Sequence, residues 1–254
     1  MVYQAHIGHI APALCITDIL TVLYFRILRL DPQHHTNPLR DRFILSKGHA
    51  AAAFYATLAR RGFIQRKDLF TYCREGGLLG THPDYQPQLG IELTTGSLGH
   101  GLPVGVGMAI ALRKIAKNRP RVFVLLSDAE LNEGSNWEAM MFAAHHKLDN
   151  LVVIVDDNGL QAFGRTKDVL NLQPLSKKWK AFGWHTLEVN GHSTSELIKA
   201  LDPVPKIPGK PTVIIAKTIG GKGVSFMENK VEWHYWPIDQ KQYLRALRDI
   251  KKFK

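Results

Sequence analysis

Three short, almost wholly apolar runs constrain this chain more than anything else in it: Arg121–Leu126 (RVFVLL), Leu151–Val155 (LVVIV) and Pro211–Ala216 (PTVIIA). A strand with one face in water alternates apolar and polar residues. A run without alternation belongs to a strand covered on both faces, which is the condition of a parallel sheet. Helical segments are predicted around these runs, at Ala50–Arg60, Leu102–Lys117 and Ser135–His146. Residues 12–30 also have helical periodicity, with Leu14, Ile16, Ile19, Leu20, Leu23 and Ile27 crowding one broad face and Thr17-Asp18 inside the helix. The alternation predicts an α/β fold, a doubly wound parallel sheet with helices on both faces. A fourth apolar run, Phe43–Leu45, leads into Ser46-Lys47-Gly48-His49. The glycine-rich stretch 76–101 and the proline-rich piece Pro203–Pro211 read as loops. No linker-like stretch divides residues 1–254, so a single domain is expected.

The net charge of +11 brings nucleic acid to mind, but the excess sits in small clusters such as Lys177-Lys178 and Lys251–Lys254. Neither interleaves with aromatics as a stacking platform would. Small anionic ligands or an acidic partner chain fit such clusters as well, and no nucleic-acid partner is expected. Cys15 and Cys73 form neither a CxxC nor a zinc spacing, and two cysteines cannot make a disulfide scaffold. A reduced, cytoplasmic setting is the expectation. No stretch approaches the roughly 20 uninterrupted apolar residues of a membrane span, and residues 1–6 lack the basic-then-apolar pattern of a signal peptide, so no membrane partner is expected.

Ligands of parallel sheets gather at the C-terminal ends of the strands. Ser127-Asp128-Ala129-Glu130 follows the first of the three buried runs, and Asp156-Asp157-Asn158-Gly159-Leu160 follows the second. A carboxylate and an amide oxygen at neighbouring strand ends are hard ligands for one Mg²⁺, which completes its octahedron with phosphate oxygens and water. The carbonyl of Leu160, presented by the turn at Gly159, is a third candidate. Each residue also has a plainer use: Asp128 can cap the following helix, and Asn158 can serve a turn.

The stretch Ser127-Asp-Ala-Glu-Leu-Asn-Glu-Gly-Ser-Asn-Trp-Glu-Ala139, with His145-His-Lys-Leu-Asp-Asn-Leu151 and Asp157-Asn-Gly-Leu160, resembles the thiamine-diphosphate motif of transketolases. That motif begins Gly-Asp-Gly and ends in an asparagine about thirty residues on. Further matching segments follow the family's order: Gly8-His9, Leu45-Ser-Lys-Gly-His-Ala-Ala51, Thr81-His-Pro83, Thr94-Thr-Gly-Ser-Leu-Gly99, Lys217-Thr-Ile-Gly220 and Gly223-Val-Ser-Phe-Met-Glu-Asn229.

The resemblance implies the diphosphate-binding module of a thiamine-diphosphate fold, with thiamine diphosphate and Mg²⁺ as cofactors. Asp128, Asn158 and the Leu160 carbonyl would hold the metal. His49, Gly96 and the backbone at Ala129 would contact the diphosphate, and Leu98 would lie against the thiazolium. His9, His82 and His234 would point into the active-site funnel, where histidine suits proton transfer near neutral pH. Lys217 and Lys47 would be supporting charges near phosphate. Glu133 and Glu138 would lie at the subunit interface, with Glu133 linked to the cofactor site. No role falls to His34, His35, His145, His146, His185 or His192, and His100 is left open.

The implied reaction moves a two-carbon ketol unit from a ketose or ketose-phosphate donor to an aldose acceptor. The pyrimidine-binding and C-terminal domains would sit on a separate C-terminal subunit, in an α₂β₂ heterotetramer. The alternatives are a related acyl or ketol transferase of the deoxyxylulose-phosphate-synthase type, or a paralogue that has lost catalysis. A nicotinamide enzyme is disfavoured because no G-x-G-x-x-G follows the first buried run.

Two departures from the family pattern carry expectations. Ser127-Asp-Ala129 stands where glycines are usual, and if Ala129 needs φ > 0 the cost is on the order of 1 kcal/mol. Tyr235 and Trp236 follow His234 where a small residue is usual, which would narrow the funnel.

Overall fold

In the computed structural model, residues 1–115 and 120–252 are described. The strands in chain order are β1 Arg42–Leu45, β2 Val122–Ser127, β3 Leu151–Asp157, β4 Leu160–Gln161, β5 Gly164–Arg165, β6 His185–Asn190 and β7 Thr212–Lys217. Five of them form one sheet in the order β1-β2-β3-β7-β6, every neighbouring pair parallel, while β4 and β5 make a small antiparallel hairpin. The helices are α1 Val2–Ala5, α2 Ile10–Leu14, α3 Thr17–Val22, α4 Ala51–Arg61, α5 Gly101–Arg113, α6 Gly134–His145, α7 Thr166–Val169, α8 Leu175–Ala181, α9 Thr194–Leu201 and α10 Gln240–Lys251.

Both faces of the sheet are covered, as the unalternating runs require. Successive strand residues point to opposite faces. Phe123, Leu125, Val152, Ile154 and Ile214 therefore join one core with α3, α4 and α9. Val122, Val124, Leu126, Val153, Val155 and Ile215 join a second core with residues of α5, α6 and α8. A smaller apolar cluster, with Ala11, Val224, Met227, Trp233 and Ile238, ties the segment after β7 to α2.

The helix expected over residues 12–30 is interrupted. It is α2, then α3 starting at Thr17 with Ile16 as its N-cap, then a π-helical turn Leu23–Ile27. Ile10–Ile27 is long and apolar enough by composition to cross a membrane. Its Ile16, Ile19, Leu20 and Leu23 are buried in the core with the sheet, as a packed core helix requires. The helix expected at 102–117 is described as Gly101–Arg113, and residues 116–117 lie outside the described residues. Of the expected loop 76–101, residues 76–100 are loop apart from a short turn at Pro87–Leu89, and Gly101 opens α5.

Polar cross-links fix the N-terminal ends of the strands. The side chain of Asp41, just before β1, is fully buried and accepts from Arg29 and Arg121. Nη2 of Arg29 is at 2.8 Å and Nη2 of Arg121 at 2.6 Å, and the backbone N–H groups of both arginines add bonds of 2.9 Å. Burial pushes this carboxyl up, but the hydrogen bonds from Arg121 and Arg29 outweigh it and hold the group below its ordinary value.

Asp41→Asn should therefore destabilise the fold by about 3 kcal/mol in chemical denaturation. This is the lower end of the range for breaking a buried pair, because the Arg29 side chain is half-exposed and screened. Because the carboxyl is depressed in the folded chain, its contribution is present above pH 3.8 and lost as the pH falls through the folded value. The variant should lack that part of the acid sensitivity.

Candidate active site

The C-terminal strand ends converge on one edge of the sheet, and the register decides which side chains meet there. Ser127 lies opposite Asp156, and Asp157 opposite Lys217. Asp156 points inward and is fully buried. Its carboxylate pairs with Lys47 Nζ at 2.5 Å and accepts from Cys15 Sγ at 3.0 Å, from Asn158 Nδ2 at 2.9 Å and from Thr218 Oγ1. Burial alone would pull the Lys47 ammonium down, but Asp156 outweighs it and the group stays charged. Asp157 points the other way and pairs with Lys217 Nζ.

Asp128 is buried just behind Ala129. Its Oδ1 accepts the N–H of Ala129 and its Oδ2 the N–H of Gly159, each at 2.9 Å, so one carboxylate clasps the loops after β2 and β3. Asn158 is held from both sides: Nδ2 donates to Asp156, and Oδ1 accepts from Leu160 N at 2.8 Å. Burial first, then Asp156 and Asp157, pushes the Asp128 carboxyl up to about 7. Two ammoniums thus stand beside three carboxylates at this edge. That leaves a negative group in want of a cation, next to a fixed amide oxygen. Among the described residues no three His, Cys, Asp or Glu side chains make a self-contained metal cage. Mg²⁺ does not need one, since it binds through one or two carboxylates with phosphate and water completing its shell.

A cleft of about 420 Å³ opens beside these strand ends. Lys47, His49, His82, Gly96, Leu98, Ala129, Glu133, Asn158, Leu160, His9 and His234 all line it, as do Phe163, Lys230 and Tyr235. Four imidazoles meet inside: His9 lies 5.5 Å from His49, 6.1 Å from His82 and 5.6 Å from His234 between ring centroids. Burial lowers all four, helped at His49 by Lys47 and the other histidines, and at His234 by Lys47 and His9. His234 falls to about 4. At neutral pH the rings are uncharged, so each offers one donor and one acceptor nitrogen.

His9 holds a left-handed backbone, φ 66°, rare for a residue with a side chain. The N–H of His9 is tied to the His234 carbonyl at 3.0 Å. Backbone strain of this kind concentrates at functional sites. Buried polar atoms with no partner among the described residues include His9 Nδ1, Asn132 Oδ1 and Gln161 Nε2, all on residues of this cleft. At Gly96, φ 152°, a Cβ would stand 3.1 Å from the His82 ring. The bare backbone there leaves room for a close ligand.

Not every candidate reaches the cleft. Lys217 is not among the lining residues; it is half-exposed and committed to Asp157. Ala129 sits in a short 3-10 turn without positive φ, so its methyl costs no backbone strain. Glu133 lines the cleft while Glu138 is exposed on α6, and His100 is exposed outside the cleft. Sequence reasoning missed Asp156 and Glu130. The Glu130 side chain is buried and bonded to Ser46 Oγ, Gly99 N and Ser127 N, bracing three loops of the site. It missed His192 as well, whose Nδ1 meets Asp18 at 2.8 Å while Nε2 accepts from Ile219 N.

The depressed imidazoles carry a pH dependence. Between pH 6.5 and about 4 the unfolded chain protonates its counterpart of His234 while the folded chain does not, so stability falls as the pH drops through that window. Imidazole NMR should place the His234 midpoint near 4, and His234→Asn should flatten the stability profile over that window. A midpoint at the ordinary value would refute the desolvated setting.

Residues 1–252 match the family described as transketolase, thiamine diphosphate binding domain. The chain is 46% identical over 244 residues to one subunit of the apulose-4-phosphate transketolase of Actinobacillus succinogenes, covering 96% of this chain and 88% of that one. It is 39% identical over 247 residues to the 6-deoxy-6-sulfo-D-fructose transketolase subunit SqwG of a Clostridium species, covering 97% and 89%. The solved transketolase of Campylobacter jejuni superimposes with a TM-score of 0.89 at 31% identity, over 98% of this chain and 40% of that one. The chain spans most of the length of the two relatives named as subunits and under half of the solved enzyme. With its doubly covered parallel sheet and its cleft of strand-end carboxylates and histidines, the chain belongs to the transketolase thiamine-diphosphate-binding domain family.

Proposed function

We propose that this chain is the diphosphate- and Mg²⁺-binding subunit of a two-subunit transketolase that moves a two-carbon ketol unit between sugars or sugar phosphates. The observation that carries the reading is the position of the four histidines. They share one cleft with Asn158 and Leu160, at the strand ends where Asp128 stands in want of a cation.

Asp128, the Oδ1 of Asn158 and the Leu160 carbonyl would hold Mg²⁺, and the ion would bind the diphosphate. Asp156 and Leu160 N fix the Asn158 amide from both sides, so its oxygen is presented in one orientation. Gly96 admits the diphosphate without a side chain in the way, with His49 beside it, and Leu98 offers an apolar face to the thiazolium. When bound, thiamine diphosphate supplies the electron sink that lets a bond beside a ketose carbonyl break and re-form. The chain's own contribution is positioning and proton transfer. His9, His82 and His234, kept neutral by burial, can each donate from one ring nitrogen and accept at the other, and so can move a proton between the hydroxyl and carbonyl oxygens of the sugar.

The partner we propose carries the pyrimidine-binding and C-terminal domains, in an α₂β₂ assembly. Three relatives bear the word subunit in their names. Phe163, at the tip of the β4–β5 hairpin on the cleft, is 85% exposed, and aromatic residues are enriched where a second chain covers a surface.

Asp128→Ala should weaken Mg²⁺-dependent thiamine diphosphate binding by on the order of 100-fold in calorimetry with the partner present. Wild-type affinity in that variant would overturn the metal assignment. Phe163→Asp should raise the dissociation constant of the two subunits by about tenfold or more, read by sedimentation. Unchanged assembly would show that this ring stays in solvent.

A further inference from the structure

We propose that Tyr235 is a specificity-determining residue: its ring forms a rigid wall at the mouth of the cleft that limits the length of the ketose tail. The inference rests on the transketolase reading and adds a size limit to it.

The backbone around Tyr235 places its ring and holds it still. Trp233 turns inward, is buried, and donates from Nε1 to the Phe226 carbonyl at 3.0 Å. His234 enters the cleft, and Trp236 faces solvent. Between them the Tyr235 ring lines the cleft while 56% of the residue stays exposed, as expected of a wall at the opening rather than at the floor. Its ring packs edge-on against both His9 and His234, with centroids 5.0 Å away in each case.

The main chain cannot easily retreat. Gly8 presses so closely on this segment that a Cβ there would lie 2.0 Å from the Tyr235 carbonyl oxygen, and the neighbouring His9 N–H bonds to His234 O. A ring fixed on two sides excludes volume instead of yielding it. The two imidazoles it touches are those that would handle the reacting end of the sugar. Whatever extends outward from that end must pass the phenol. Tyr235 itself has an ordinary backbone, φ −119° and ψ −22°, so a smaller side chain can replace it without strain.

The test uses the assembled two-subunit enzyme with thiamine diphosphate and Mg²⁺, propionaldehyde as a short acceptor that none of the donors releases, and donors of increasing length. Hydroxypyruvate has no sugar tail, and ketoses of four to seven carbons run from erythrulose to sedoheptulose. Tyr235→Ala should raise kcat/KM for the seven-carbon ketose relative to erythrulose by about tenfold, the scale of steric discrimination in a pocket. Hydroxypyruvate lacks the part the ring would meet, so its turnover in each variant is the reference to which every ketose is normalised. Tyr235→Phe keeps the ring and should keep the wild-type length profile. Calorimetric binding of unreactive alditols of five and seven carbons should show the same preference without turnover.

An unchanged length profile and unchanged alditol preference in Tyr235→Ala would overturn the proposal. So would a shift in Tyr235→Phe equal to that in Tyr235→Ala, because the hydroxyl and not the wall would then be responsible. A wild-type assembly that fails to turn over hydroxypyruvate would count against the transketolase reading, and the alditol series would still report on the wall.

Discussion

The site depends on one buried carboxylate. Asp156 has no exposure to water, and an isolated charge in that position would be far too costly to keep. Lys47 neutralises it, and Cys15, Asn158 and Thr218 occupy its remaining hydrogen-bonding positions. Those partners come from the end of α2, from the turn after β1, from the loop after β3 and from the end of β7. Satisfying one anion therefore draws four chain segments to a common point. The orientation of the Asn158 amide follows: with Nδ2 donated to Asp156, the amide oxygen has to face away from the carboxylate, toward Leu160 and the cleft. The amide proposed as a metal ligand is thus aimed by a residue that does not itself line the cleft, as outer groups around metal sites generally are arranged to do.

The same charge arrangement explains why the histidines stay neutral. Lys47 is a permanent cation close to His49 and His234, and it disfavours a second positive charge there beyond what burial already does. Lys47 thus has two electrostatic effects. It permits the Asp156 anion on one side and suppresses imidazolium on the other. The carboxyl left without a cation is Asp128, which burial and its two acidic neighbours make reluctant to ionise, and the imidazoles of the same cleft are kept uncharged.

The parts of this arrangement visible in the sequence were those marked by position along a strand. The unalternating runs announced β2, β3 and β7 and their covered faces. Asp128 and Asn158 stood out because each follows a strand end. β6 gave no such signal: it is an edge strand of the sheet, its residues are half-buried at most, and His185–Asn190 carries no apolar run. α10 went unnoticed because its mostly polar sequence has only a narrow apolar stripe. Asp156 and Asp157 look alike in the sequence, and only the pleat decides that one turns into the interior and the other toward Lys217. Lys217 is drawn to Asp157 for that reason, since the opposite charge is its neighbour across the register. The break between α2 and α3 was hidden because the apolar periodicity runs on through it.

Supply and demand of positive charge also bear on what the cleft can recognise. Two lysines line it: Lys47 is committed to Asp156, and Lys230 stands at the exposed rim. Burial disfavours the charged form of His9, His82 and His234, so these three suit hydroxyl and carbonyl oxygens better than anionic groups. The interior of the cleft is therefore suited to the uncharged end of a sugar, where bonds change. An anionic terminus, if the sugar has one, is better placed outward, past Tyr235. Selection inside the cleft then rests on hydrogen-bond geometry and shape, and selection by charge falls to the rim and to whatever second chain covers it. That division follows from one requirement, that the lysine nearest the chemistry be used to bury an anion.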